Sequence, residues 1–217
     1  LYEGGTTPSY GAIKMAMDKL DLGVHVMIRP RGSDFCYGAV EFELMQENIK
    51  ICKALGVQGV VFGILRPDGQ VDAERTKRLT ALSRPLSVTF HRAFDVTSDP
   101  FAALEDVIKT GADRLLTAGQ QNKAPLGSKL IGELVKLANN RIIIMPGSGL
   151  NESNITSFRD ETGASEFHLS AKETIDSKMT YRKEGVYMGS LPQIPEYTIN
   201  RTSADIVRNM VTLVNEE

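Results

Sequence analysis

Short β-branched runs alternate with longer amphipathic stretches along the whole chain. Apolar runs at 24–30, 59–64, 87–93, 114–119, 142–147 and 166–171 predict six strands. Between them, apolar residues recur three and four apart over 10–19, 40–55, 73–82, 101–110, 126–139 and 152–161, which predicts helices with one packed face. Regular strand–helix alternation belongs to βα units and a parallel sheet, not to a sandwich. Gly23, Gly56, Gly111 and Gly163 stand just past helix ends, where a left-handed cap favours glycine, and Asn151 stands where an N-cap belongs. Past Ala171 the pattern weakens. The segment 172–195, rich in Ser, Gly, Lys and Pro, reads as a long loop before a last helix over 203–214. Each strand-to-strand interval holds one helix and two loops, so residues 1–217 read as one domain.

Six parallel strands behind a leading helix fit either an open doubly wound sheet or a barrel short of two strands. No GxGxxG or GxxxxGK[ST] follows an early strand, which favours the barrel. The chain is 217 residues long and 41% hydrophobic, with no apolar run of the roughly eighteen residues that a membrane span needs. A formal net charge of −2 offers no footprint for nucleic acid. The two cysteines, Cys36 and Cys52, form no CxxC, and a reducing, cytoplasmic setting is expected. Cys52 falls in an apolar-periodic segment and reads as a buried small hydrophobe.

In a barrel the chemistry sits at the C-terminal ends of the strands. The period of two puts His25, Met27, Arg29 and Arg31 on one side of their strand, with Val26 and Ile28 on the other. Thr89 and His91 likewise oppose Val88 and Phe90, with Arg92 and Asp95 reaching the rim, and His168 and Ser170 oppose Phe167 and Leu169. One mouth is thus expected to gather Arg29, Arg31, Arg92, His91, His168 and Ser170. Arginine and aspartate at strand ends can simply pair, and an inward histidine can be a satisfied core group. Burying so many polar ends without partners would be costly, however, so a ligand site is expected. The run into Gly147, Ser148 and Gly149 is expected to expose backbone N–H groups that suit phosphate or carboxylate. In that reading the ligand is a small anion, the arginines neutralise it, and His91 or His168 is the general acid or base. No GxSxG, HExxH or metal-spaced His/Cys cluster names a reaction. Met27, Met145, Cys36 and the histidines would suit copper, although methionines in strands also serve as core filler.

The motifs EGGTTPSYG from Glu3, HVMIRPRGSDFCY from His25, GVVFGILRPDGQVD from Gly59, VTFHRAFD from Val88, RLLTAGQ from Arg114, IIIMPGSG from Ile142 and EFHLSA from Glu166 together resemble the CutC family. The resemblance implies a TIM (β/α)8 barrel, here apparently lacking its first strand, first helix and most of the second strand, so that the six strands become three to eight. It further implies a cytoplasmic homodimer with a role in copper homeostasis, through copper binding or trafficking. Arg29, His91, Arg92 and His168 match the family motifs. The cysteines that the family offers as copper ligands lie in its first two strands, and Cys36 and Cys52 do not replace them by position, so the metal ligands stay unassigned. Two readings stand: copper homeostasis, or a barrel enzyme acting on a small anionic or phosphorylated substrate.

Overall fold

Five parallel strands lie side by side in chain order: β1 (His25–Met27), β2 (Gly59–Phe62), β3 (Ser87–Phe90), β4 (Arg114–Thr117) and β5 (Ile143–Pro146). This computed structural model describes residues 4–187 and 194–215. Glu3 of the first motif and residues 188–193 of the expected loop lie outside the described residues. Helices α1 (Tyr10–Lys19), α2 (Ala39–Ala54), α3 (Ala73–Ser83), α4 (Pro100–Thr110), α5 (Ser128–Ala138) and α6 (Ile155–Thr162) alternate with these strands. The result is a TIM-like α/β arc that does not close into a barrel. The sixth expected strand, 166–171, contributes only a single parallel bridge, Gly147 to His168.

Helix α4 shows how locally the elements are written. Asp99 caps it by accepting from the amides of Phe101 and Ala102, Pro100 sits in the first turn where its missing N–H costs nothing, and Gly111 stops it at φ +79°. Ala103, Leu104, Val107 and Thr110, spaced three and four apart, are its buried face. Gly163 ends α6 in the same way, and Gly56 takes φ +72° just past α2. Two cap expectations are corrected. Helix α1 stops at Leu20 in extended backbone, before Gly23, and the N-cap of α6 is Asn154, because Asn151 is occupied in a turn that ends on Asn154.

The core lies between the sheet and its helices. Val26, Ile28, Val60, Phe62, Val88, Phe90, Leu115 and Ile144 alternate outward along their strands onto Phe42, Met45, Ile49, Leu79, Leu104, Ile131 and Leu134. Cys52 is fully buried among them, as its pattern predicts. The alternate positions form the concave face. There Arg114 holds Glu166 in a bidentate pair, at 2.5 and 3.0 Å, and donates to the Ser87 hydroxyl.

The stretch past Ala171 departs from the loop expectation. Strand β6 (Lys172–Asp176) pairs antiparallel with β7 (Thr198–Thr202), and helix α7 (Ala204–Asn215) follows. Both strands are polar and largely solvent-exposed, with Glu173 pairing Arg201 across the ladder, so they lack the apolar signal by which a strand is read. Helix α7 falls where the last helix is expected. No helix among the described residues is long and apolar enough to cross a membrane.

Candidate functional site

The C-terminal ends of the strands surround a cavity of about 630 Å³. Its walls include Arg29, His91, Arg92, Ser148, Gly149, His168 and Ser170, so seven of the nine residues singled out in the sequence meet here. Gly147 lies directly behind His168: a Cβ on it would come within 3.2 Å of the histidine's own Cβ. Arg31 stands apart. It is turned outward, pairing Glu41 at 2.6 Å and Asp34 at 2.9 Å, with its guanidinium over the Tyr37 ring. The strand period breaks at Pro30, and local acids capture the side chain that continued alternation would have sent inward.

Arg29 is 6% exposed. Its guanidinium lies 5.0 Å from the Phe35 ring and donates to the carbonyls of Gly5 and Ser33. The chain from Gly4 to Thr7 runs along the end of β1, where the Thr7 amide donates to the Arg29 carbonyl and the Arg29 amide to the Thr7 hydroxyl, both at 2.9 Å. This clip brings Gly4 and Gly5 into the cavity wall.

His91 carries the most definite chemistry. It is 4% exposed and packs 4.9 Å from the Phe35 ring. The Ala93 amide donates to its Nδ1 at 3.2 Å. Burial, with the Arg29 charge adding to it, pushes its pKa down to about 3, so the ring is neutral. With Nδ1 accepting, the proton of that neutral ring resides on Nε2. Among the described residues Nε2 meets no hydrogen-bond partner. A buried N–H without a partner is costly, which makes it a mark of a missing ligand.

All three histidines of the chain lie over glycines of the neighbouring strand. A Cβ at Gly59 would come within 2.3 Å of His25 Nδ1, one at Gly63 within 2.7 Å of His91 Nδ1, and one at Gly147 within 3.3 Å of His168 Cδ2. His168 stands at the open side of the cavity. Partial burial, reinforced by the Arg92 charge, lowers its pKa. It too is a neutral base near pH 7.

Arg92 is aimed by Asp95, the residue that sequence reasoning placed only at the rim. The Asp95 carboxylate accepts from Arg92 Nε at 2.6 Å, the Thr117 hydroxyl at 2.5 Å, the Ala118 amide at 3.0 Å and the Gln120 amide at 3.1 Å. It therefore ties the end of β3 to the loop after β4. At Ser148 and Gly149 the backbone turns through φ +81° and +77°, and the Ser148 hydroxyl is spent on the Asn122 carbonyl. Helix α6 starts only at Ile155, so its N-terminus is set back from the cavity that Ser148 and Gly149 line. Lys123 packs its aliphatic stem across Gly149, within 3.1 Å of where a Cβ would sit. It is a cation that the sequence offered no reason to single out.

These protonation states make a prediction. The unfolded chain takes up histidine protons near pH 6.5, whereas folded His91, His25 and His168 all resist them, so stability falls as pH drops from about 6.5. Carboxylates add nothing until roughly pH 5 and below. The urea midpoint is expected to fall between pH 7.5 and 5, and to fall less in His91→Gln; an equal fall in both would contradict a buried neutral His91.

Copper fits these residues poorly. Bonding through His91 Nε2 would require the proton on Nδ1, where it would oppose the Ala93 N–H. Cys52 is buried, and burial raises its thiol to about 11, while Cys36 is exposed. No group of three or more His, Cys, Asp or Glu side chains that could hold a metal occurs among the described residues.

Comparison with known proteins agrees with the sequence motifs. The CutC family model matches residues 1–173. A CutC family protein of Parabacteroides distasonis is 52% identical over 209 residues, which cover 95% of this chain and 85% of that protein. The human copper homeostasis protein cutC homolog is 44% identical over 210 residues, covering 97% and 77% respectively. The crystal structure of a CutC copper homeostasis protein from Streptococcus agalactiae superposes with a TM-score of 0.74 at 38% identity, over 78% of this chain and 84% of that one. By sequence and by fold, the chain belongs to the CutC family.

Proposed function

We propose that the cavity at the strand ends binds a small anionic metabolite, a phosphate ester or a carboxylate, and that the protein is an enzyme acting on it. The observation that carries this reading is the buried, neutral His91, whose Nε2–H has no partner among the described residues and whose ring lines the same cavity as Arg29 and Arg92. A neutral donor beside Arg29 and an Arg92 that is paired with Asp95 leaves the wall net positive, which suits an oxygen-rich anion. Calorimetry with 2-phosphoglycolate tests it. Replacing Arg29 or Arg92 with alanine is expected to weaken binding by about 10- to 100-fold, the worth of a charge-assisted hydrogen bond. Equal affinity in wild type and both variants would overturn the reading.

A second reading, copper binding or trafficking by a cytoplasmic homodimer, draws support from the names of the human and streptococcal relatives. In it copper is cargo, held away from the mouth. Competition with a Cu(I) chelator tests it: uptake unchanged in His91→Gln supports the reading, and absence of uptake overturns it.

A further inference from the structure

We propose that the mouth catalyses proton exchange at a carbon next to a carbonyl, with His91 Nε2–H holding the carbonyl oxygen and His168 moving the proton. This deepens the anion-binding reading and rests on it: Arg29 and Arg92 would hold the anionic group of the same small molecule.

Three observations carry the division of labour. The Ala93 amide fixes the tautomer of His91, so this ring can donate from Nε2 but has no lone pair free to accept a proton. Its Nε2–H is buried and without a partner among the described residues, so it is already dehydrated, and a small shift of the wall would bring it to a developing oxyanion. His168 is the other imidazole in the cavity wall, and no hydrogen bond among the described residues fixes its side chain, which leaves a nitrogen able to accept. Burial and the Arg92 charge keep that nitrogen unprotonated near neutral pH. Two neutral imidazoles, one locked as donor and one open as base, suit carbon-acid chemistry, which needs a base at the carbon and a donor at the carbonyl oxygen.

The step balances without an oxidant or reductant. The C–H bond breaks, its proton passes to the free nitrogen of His168, and its electron pair moves through the enolate onto the carbonyl oxygen. His91 Nε2–H stabilises that oxygen by hydrogen bonding and keeps its own proton. The imidazolium of His168 trades its proton with solvent and returns one to the same carbon, which restores the carbonyl and gives exchange at that position. Met27, Phe35, Leu116 and Leu150 supply the apolar part of the wall beside the enolate.

The test is proton-to-deuterium exchange in D₂O, followed by NMR, with dihydroxyacetone phosphate and 2-oxobutyrate as probes, beside calorimetry on the same samples. Exchange with the first probe assigns a phosphate handle, and exchange with the second a carboxylate handle. His168→Gln is expected to lower exchange by about 100-fold or more while affinity changes little, as for a general base. Binding that depends on Arg29, but with no exchange in either probe, overturns the proton-exchange proposal and leaves anion binding standing. Absence of binding overturns both. Imidazole ¹⁵N shifts give a readout independent of turnover: His91 is expected as the Nε2–H tautomer from pH 5 to 8, and an Nδ1–H tautomer overturns its role as donor.

Discussion

Replacing Asp95 with alanine is expected to cost the fold about 2–4 kcal/mol, the scale of leaving several buried hydrogen-bond donors without their acceptor. The Asp95 side chain is only 6% exposed and serves four groups from two strand ends. Its loss strands the Thr117 hydroxyl and the amides of Ala118 and Gln120, and removes the anchor that aims Arg92. Anion affinity should therefore fall together with the urea midpoint. Asp95→Asn keeps one acceptor oxygen but presents an N–H where donors converge, so it should recover only part of each loss. A midpoint within about 0.5 kcal/mol of wild type, the scale of an ordinary surface change, would show that the carboxylate is not the tie between the strands.

The second large effect lies on the outward face of β3, the strand that leads into Asp95. Phe90 is fully buried and sits in register with Phe62 on β2 and Leu115 on β4. Phe90→Ala removes that ring from the layer between sheet and helices and is expected to cost about 3–5 kcal/mol through lost burial and the cavity left behind. Leu126→Ala, at a side chain 70% exposed, should stay within about 0.5 kcal/mol and serves as the control. Chemical denaturation measures both. Because Phe90 points away from the mouth, the folded fraction of Phe90→Ala should bind the anion as the wild type does. A parallel loss of affinity would mean that the outward layer sets the geometry of the mouth.

Much of this organisation is legible in the residues. The period of two correctly sorts Val26 and Ile28 from Met27 and Arg29, and Val88 and Phe90 from Thr89 and His91, because a strand with helices on one face and a ligand site on the other has two chemically distinct sides. Arg29, His91, Arg92 and His168 meet in one cavity for that reason. Arg31 does not, because it lies four residues past the end of β1, where ion pairs with Asp34 and Glu41 are local contacts that override alternation. The pairing of β6 with β7 is hidden for a related reason: polar side chains on both faces give no periodic signal, and cross-strand pairs such as Glu173 with Arg201 become visible only in register. The weight carried by Asp95 is likewise invisible in sequence, since three of its four partners lie more than twenty residues away and act through backbone or hydroxyl groups that any loop could supply. The tautomer of His91 depends on one backbone amide two residues on, a contact that composition cannot foretell.

The glycines beneath His25 and His91 make positions 25 and 59, and 63 and 91, trade volume with one another, while Gly147 is hemmed in by Leu116 as well as His168. Tolerance to substitution is then a property of each couple and not of either residue. Alanine at 63 should be damaging beside a histidine at 91 yet mild beside a smaller residue there, so the two changes together should cost less than their sum. Divergence at this sheet must proceed through such coupled exchanges, and the orientation of a reactive ring is inherited from a neighbouring strand position that carries no functional group at all.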